Sequence, residues 1–211
     1  PICSKPNSEP MQGSTVDGSF RVRAMTRVLG AVMVMVLAGC ASPVSLSDYA
    51  EEMSASAAAY VEEAQTLSVR FQGTVEEGVR DLVESSDSPE ADVVVLVREE
   101  TTQYLALLED AMSRYAAAID ATEPPPEVRD EHDAYLGAVT SVVEALPETR
   151  TGVAAADSLG DVGYALNASG FADGQDRWTA TCTGLEQAVR DEGQGMDLKC
   201  EQADAGGAVQ P

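Results

Sequence analysis

The sequence predicts an all-α fold, an up-and-down antiparallel helical bundle of about four helices. Apolar residues recur at steps of three and four over long stretches, and the connections between those stretches are short and marked by proline. No segment carries the alternating β-branched pattern of a sheet; Val93-Val94-Val95 comes nearest and is embedded in a helical stripe. Short connections between long amphipathic helices place neighbours antiparallel.

The first expected helix runs from about 48 to about 86. Its stripe begins Leu46, Tyr49, Met53, Ala57, Tyr60 and continues to Leu82, and Asp48 with Glu51 three residues on is a start pattern. At ~1.5 Å per residue such a helix approaches 60 Å, so a kink or break is expected near Gly73 or Gly78. Ser88-Pro89-Glu90 opens the second helix, whose stripe runs from Val93 to Ile119 and stops at Pro124-Pro125-Pro126. Pro126 restarts the chain as a third helix with Val128, His132, Tyr135, Val139, Val142 and Leu146 on one face, and Pro147 is expected to close it. Residues 148–172 hold Gly152, Gly160, Gly163 and Gly170 and are expected to be irregular to partly helical. The last helix spans about 173–192, with Trp178, Cys182, Leu185 and Val189 inward. Beyond Gly193 and Gly195 comes Met196 to Cys200, and 201–211 reads as a disordered polar tail.

The chain has 211 residues, with 36 acidic against 13 basic side chains, a net charge of -23 and a pI near 4.1. Hydrophobic residues make up 44%, enough for a core. With Lys5 and Lys199 as its only lysines, the chain offers no basic footprint for nucleic acid or for electrostatic attachment to anionic lipid.

Residues 1–24 lack periodicity and do not begin with Met; they are expected to be an unstructured upstream extension, with Met25 or Met11 as the start. Residues 25–39 combine Arg27 with the apolar run Val28–Gly39, the pattern of a signal peptide and too short to span a bilayer, which takes about 20 residues. The run closes on Leu37-Ala38-Gly39-Cys40, which resembles the lipobox of bacterial lipoproteins. The resemblance implies cleavage before Cys40, lipid on its thiol, and an extracytoplasmic protein anchored to the cell membrane. Residues 40–47 would then be anchor and linker and 48–200 the bundle. Without residues 1–39 the chain keeps nine basic and 34 acidic side chains, for -25. With Cys3 removed and Cys40 acylated, Cys182 and Cys200 remain, outside the cytoplasm where disulfides persist. A bridge between them would pin the C-terminal segment to the last helix. The stretch from Cys182-Thr183-Gly184-Leu185 to Leu198-Lys199-Cys200 resembles the end of uncharacterised secreted helical proteins of GC-rich bacteria, a resemblance that implies the disulfide and no activity.

Candidate chemistry is sparse. His132, the only histidine, falls on an apolar face, where an imidazole serves as metal or haem ligand, general base or hydrogen-bonded core group. A di-iron site needs Glu-x-x-His and position 129 is Arg; a haem with one histidine would need Met112 as its second ligand. Tyr49, Tyr60, Phe71 and Leu82, and again Val93, Tyr104 and Tyr115, recur every eleven residues, three turns, and line up along one seam. Paired carboxylates such as Glu51-Glu52 and Glu76-Glu77 lie beside the stripes as solvated faces, and Asp173-Gly174-Gln175-Asp176 matches too little of a calcium loop. Nucleophile elbows, phosphate-cradling glycine loops, zincin helices and Cys-x-x-Cys pairs do not occur. The expectation is a non-catalytic envelope protein without a cofactor that acts by binding or scaffolding, with the membrane and possible envelope proteins as partners. The alternative is a small-molecule, metal or haem-binding bundle built on His132, Tyr135, Tyr104, Tyr115 and Met112.

Overall fold

A computed structural model describes residues 44–168 and 170–201; the expected leader, Cys40 and most of the tail lie outside them. Among the described residues every regular element is helical: α1 (Leu46–Ser85), α2 (Pro89–Ala121), a 3-10 turn (Pro126–Val128), α3 (Arg129–Ala154), α4 (Leu159–Ala168) and α5 (Gly170–Asp191).

Helix α1 begins at Leu46 and not at 48, because Ser45 is the cap: its hydroxyl accepts from the Asp48 N–H at 3.1 Å. It runs unbroken as α-helix through Gly73 and Gly78. At Gly78 an added Cβ would lie 2.6 Å from Leu96 Cδ2, so the small residue lets the α2 leucine approach the α1 backbone. Ser86 organises the turn into α2: its hydroxyl accepts from the Ser88 N–H at 3.0 Å and donates to Asp92 Oδ2 at 2.5 Å, while Pro89 takes the first helical turn.

Pro147 does not close α3. The helix continues seven residues past it, to Ala154. Pro147 is exposed, and Thr149 and Val153 beyond it are buried, so packing of the last two turns overrides the missing N–H. The glycine-bearing stretch that follows is helical as well. Ser158 starts α4 as Ser45 starts α1, accepting from the Asp161 N–H at 3.1 Å and donating to its carboxylate at 2.8 Å. Val162 is buried, and Gly152 lets α3 approach Ala165, whose Cβ would lie 3.2 Å from a side chain added there.

Helix α5 begins at Gly170, earlier than 173, and buries Phe171 and Gly174 in its first turns. Gly174 is a close approach, since a Cβ there would stand 3.1 Å from Val142 Cγ2 and 3.6 Å from the Val142 Cα of α3. The helix ends in a Schellman turn. Gln194 N–H donates to Val189 O at 3.1 Å and Gly193 N–H to Arg190 O at 2.9 Å, with Gly193 at φ +82°.

The core joins all five helices and the C-terminal segment, with Tyr49, Met53, Leu105, Met112, Ile119, Tyr135, Leu146 and Leu185 among its fully enclosed side chains. Each such residue contributes about 1.5–3 kcal/mol by leaving water. The burial is uneven. All buried residues of α1 fall within its first twelve positions, and those of α2 begin at Thr101. From 61 to 100, two helices lie against each other without enclosing one side chain fully. None of the described helices is long and apolar enough to cross a membrane.

Candidate functional site

His132, the one histidine of the chain, makes a buried side-chain hydrogen bond in the core. Its Nδ1 lies 2.9 Å from the Tyr49 hydroxyl, with both residues buried and the rings tilted at 57°. Either the hydroxyl donates to a bare Nδ1 or an Nδ1–H donates to the hydroxyl oxygen, according to which ring nitrogen carries the proton. Burial holds the imidazole below its ordinary value of 6.5, opposed in part by the carboxylates of Asp133 and Asp120. Neutral imidazole is thus the form this core favours.

One turn further along α3, the Tyr135 hydroxyl sits 2.6 Å from that of Tyr115, and either can donate. Tyr60 stacks on Tyr115 at 4.9 Å between ring centres and meets Trp178 edge-on at 5.8 Å. The Trp178 N–H stands near enough to Tyr135 to favour its ionised form, yet its geometry falls short of a hydrogen bond to any acceptor. Burial raises the hydroxyls of Tyr49, Tyr60, Tyr104, Tyr115 and Tyr135 above tyrosine's ordinary value of 10.0. None is prepared to ionise near neutrality, so these groups are poor bases and nucleophiles there.

The residues grouped by the sequence are therefore only partly gathered. Tyr135, Tyr115 and Met112 share one core cluster, to which His132 is tied through Tyr49. Tyr104 belongs to the same cluster but lies along it: it stacks on Phe71 at 5.0 Å, eleven residues and ~16 Å along α2 from Tyr115. The histidine's actual partner, Tyr49, was visible only as the first ring of the eleven-residue series.

Among the described residues, open clefts lie between α1 and α2 around Phe71 and Tyr104, between α2 and α3 around Arg98 and Arg150, and between α3 and α4 around Gly152 and Ala165. None of the three is lined by His132. In the second, Arg150 is spoken for by Glu109 of α2, 3.1 Å away at angles that miss those of a hydrogen bond.

One further group has metal-ligand composition. Sulfur atoms of Cys182 and Cys200 and a carboxylate oxygen of Glu186 lie within 4.8 Å of one another. The two cysteines are bonded to each other, with Cα atoms 5.7 Å apart, so neither offers a thiolate. Glu186 Oε1 accepts the Leu198 N–H at 2.7 Å, which makes the cluster a clasp for the C-terminal segment. Asp197 and Lys199 complete that segment: the Asp197 carboxylate takes the Lys199 N–H at 3.0 Å and its ammonium, which holds Asp197 below the usual carboxylate range and supports Lys199 at φ 58°.

No family model, no curated protein and no solved structure matches the chain.

Proposed function

We propose that the chain is a lipid-anchored, extracytoplasmic helical bundle of the bacterial envelope that works by binding or scaffolding and not by catalysis. The observation that carries the non-catalytic part is the fate of His132. The one histidine, the group best suited to acid–base work near neutrality, is enclosed at 3% exposure and its Nδ1 is taken by Tyr49. The Cys182–Cys200 bridge favours an oxidising compartment. Placement at the membrane rests on Leu37-Ala38-Gly39-Cys40, with helix α1 starting only six residues later, at Leu46. A charge of -25 after cleavage would be repelled by anionic lipid, so attachment falls to acyl chains, at about 0.8 kcal/mol per buried methylene.

The architecture we read is up-and-down with antiparallel neighbours, of about four helices with α4 as a short fifth piece. Ring pairs support it: Tyr60 meets Tyr115 while Phe71 meets Tyr104, so rising numbers on α1 meet falling numbers on α2. The α2–α3 pairs Tyr115 with Tyr135 and Glu109 with Arg150 run the same way.

The test is fractionation of cells making the full chain. The wild type is expected in the membrane fraction at high salt and Cys40→Ser in the soluble fraction; retention of Cys40→Ser at high salt would overturn the anchor.

A further inference from the structure

The segment 61–100 stands out because it is long, regular and nowhere enclosed. The segment carries eleven acidic against three basic side chains, a net charge of -8 over 40 residues. Where this arm meets the body, a cleft of about 160 Å³ opens between α1 and α2, with Leu67, Phe71, Tyr104 and Leu107 as its apolar lining and Arg70, Glu100 and Gln103 among its polar lining. The stacked rings of Phe71 and Tyr104 give it a rigid wall.

We propose that this cleft and the acidic helices around it are a docking surface for a cationic amphipathic helix of a partner protein, with one bulky apolar side chain seated in the cleft. Size decides between a small molecule and a side chain: pockets for drug-sized ligands run to about 300–1,000 Å³, and this one falls below that range while suiting a single anchoring residue. Charge decides among the larger occupants. A second copy would bring another -8 to the same place and an anionic bilayer would bring phosphates, both repelled; a Lys- or Arg-bearing helix is attracted and steered. The apolar seam supplies what charge alone cannot. Half-buried Leu67, Phe71, Val75 and Leu82 of α1 and Val93 and Val97 of α2 still have surface to bury, so the partner's apolar stripe gains burial along the arm.

The proposal rests on the reading of the chain as a binding protein, and its test is independent of the anchor. The purified chain is titrated at physiological salt with a fluorescent Leu/Lys peptide of about 18 residues whose leucines follow helical spacing, and with a scrambled peptide of the same composition. The ordered peptide is expected to bind at least about tenfold tighter. Amide-exchange protection should fall within residues 61–107. Gln103→Trp, a change at an exposed side chain that fills the cleft, should weaken the ordered peptide by about tenfold with helicity unchanged by circular dichroism. Equal affinity for the two peptides would mean charge attraction alone and would overturn the proposal, as would protection outside the arm or indifference to Gln103→Trp. Self-association through the arm, or binding to phosphatidylglycerol vesicles in preference to the peptide, would overturn it in favour of a second copy or a lipid surface. Failure here leaves the Cys40→Ser fractionation result, and the anchored-bundle reading, untouched.

Discussion

The Tyr49 hydroxyl and His132 Nδ1 share a hydrogen bond across 2.9 Å, joining the first turn of α1 to the first turn of α3 over 83 residues of sequence. Each group is the other's means of escaping an unmet polar burial, so the pair should behave as a unit. Tyr49→Phe leaves a buried ring nitrogen and His132→Leu a buried hydroxyl without its partner, and each should destabilise by about 1–3 kcal/mol. The double variant should lose less than the two single losses together, because no polar group is then stranded. Urea midpoints of the four proteins measure this, and strict additivity would show that the contact contributes nothing.

The same core fixes how stability depends on pH. For His132 the folded value lies below the ordinary 6.5, so the unfolded chain takes up the proton first. Its contribution is complete above about 6.5 and is lost as pH falls through that value toward the folded one. The tyrosines work in the opposite direction. Their folded values lie above 10.0, so their contribution is complete below about 10 and is lost as pH rises beyond it. Urea midpoints should fall at both ends. His132→Leu should flatten the slope below about pH 6.5, and Tyr115→Phe should shallow the alkaline one.

The stripes of α1, α2, the start of α3 and α5 were legible because their apolar faces repeat over many turns and outweigh any single residue. What failed was punctuation. Pro147 reads as a stop, yet it sits on an exposed face of α3 while Thr149 and Val153 are buried beyond it. The glycines of 148–172 read as breaks, yet Gly152 is where α4 comes close. Tertiary packing worth more than the ~3 kcal/mol of an interior proline in the one case, and the ~1 kcal/mol of a glycine in the other, decided both. The true starts were written in the sequence all the same. Ser45-Leu46-Ser47-Asp48 and Ser158-Leu159-Gly160-Asp161 are matching Ser-x-x-Asp boxes. The Tyr49–His132 pair was not legible, since a partner 83 residues away depends on how the helices are placed.

Two glycines should answer the same substitution with opposite sign. At Gly73, nothing lies within 4 Å of an added Cβ, so Gly73→Ala should strengthen α1 by about 0.8–1.0 kcal/mol through backbone propensity and slow amide exchange in the arm. At Gly174 the same methyl would press on Val142, including its backbone, and α5 would have to move off α3. Overpacking of this kind costs about 1–3 kcal/mol, which should exceed the propensity gain. A thermal midpoint that rises equally for both variants would contradict the close approach at Gly174.

The Cys182–Cys200 bridge closes a loop of sequence separation 18 around the Schellman turn at Gly193, and in the chain-entropy picture a loop of that size contributes about 3 kcal/mol. That contribution is local. Met196, Leu198 and Cys200 are buried against α5 and the core, and two further bonds hold the segment once the sulfurs part: Leu198 N–H to Glu186 at 2.7 Å and Asp197 N–H to Ser54 Oγ at 3.1 Å. Neither reaches α2 or α3, whose contacts with each other do not involve this segment. Reduction should therefore speed amide exchange from about 182 to 200 while α2 and α3 keep their protection and the far-ultraviolet signal stays helical. Thiol labelling of the exported protein, followed by intact mass, should find neither cysteine modifiable until reductant is added. If exchange rises together throughout the molecule on reduction, the bridge holds the whole bundle and not its last segment.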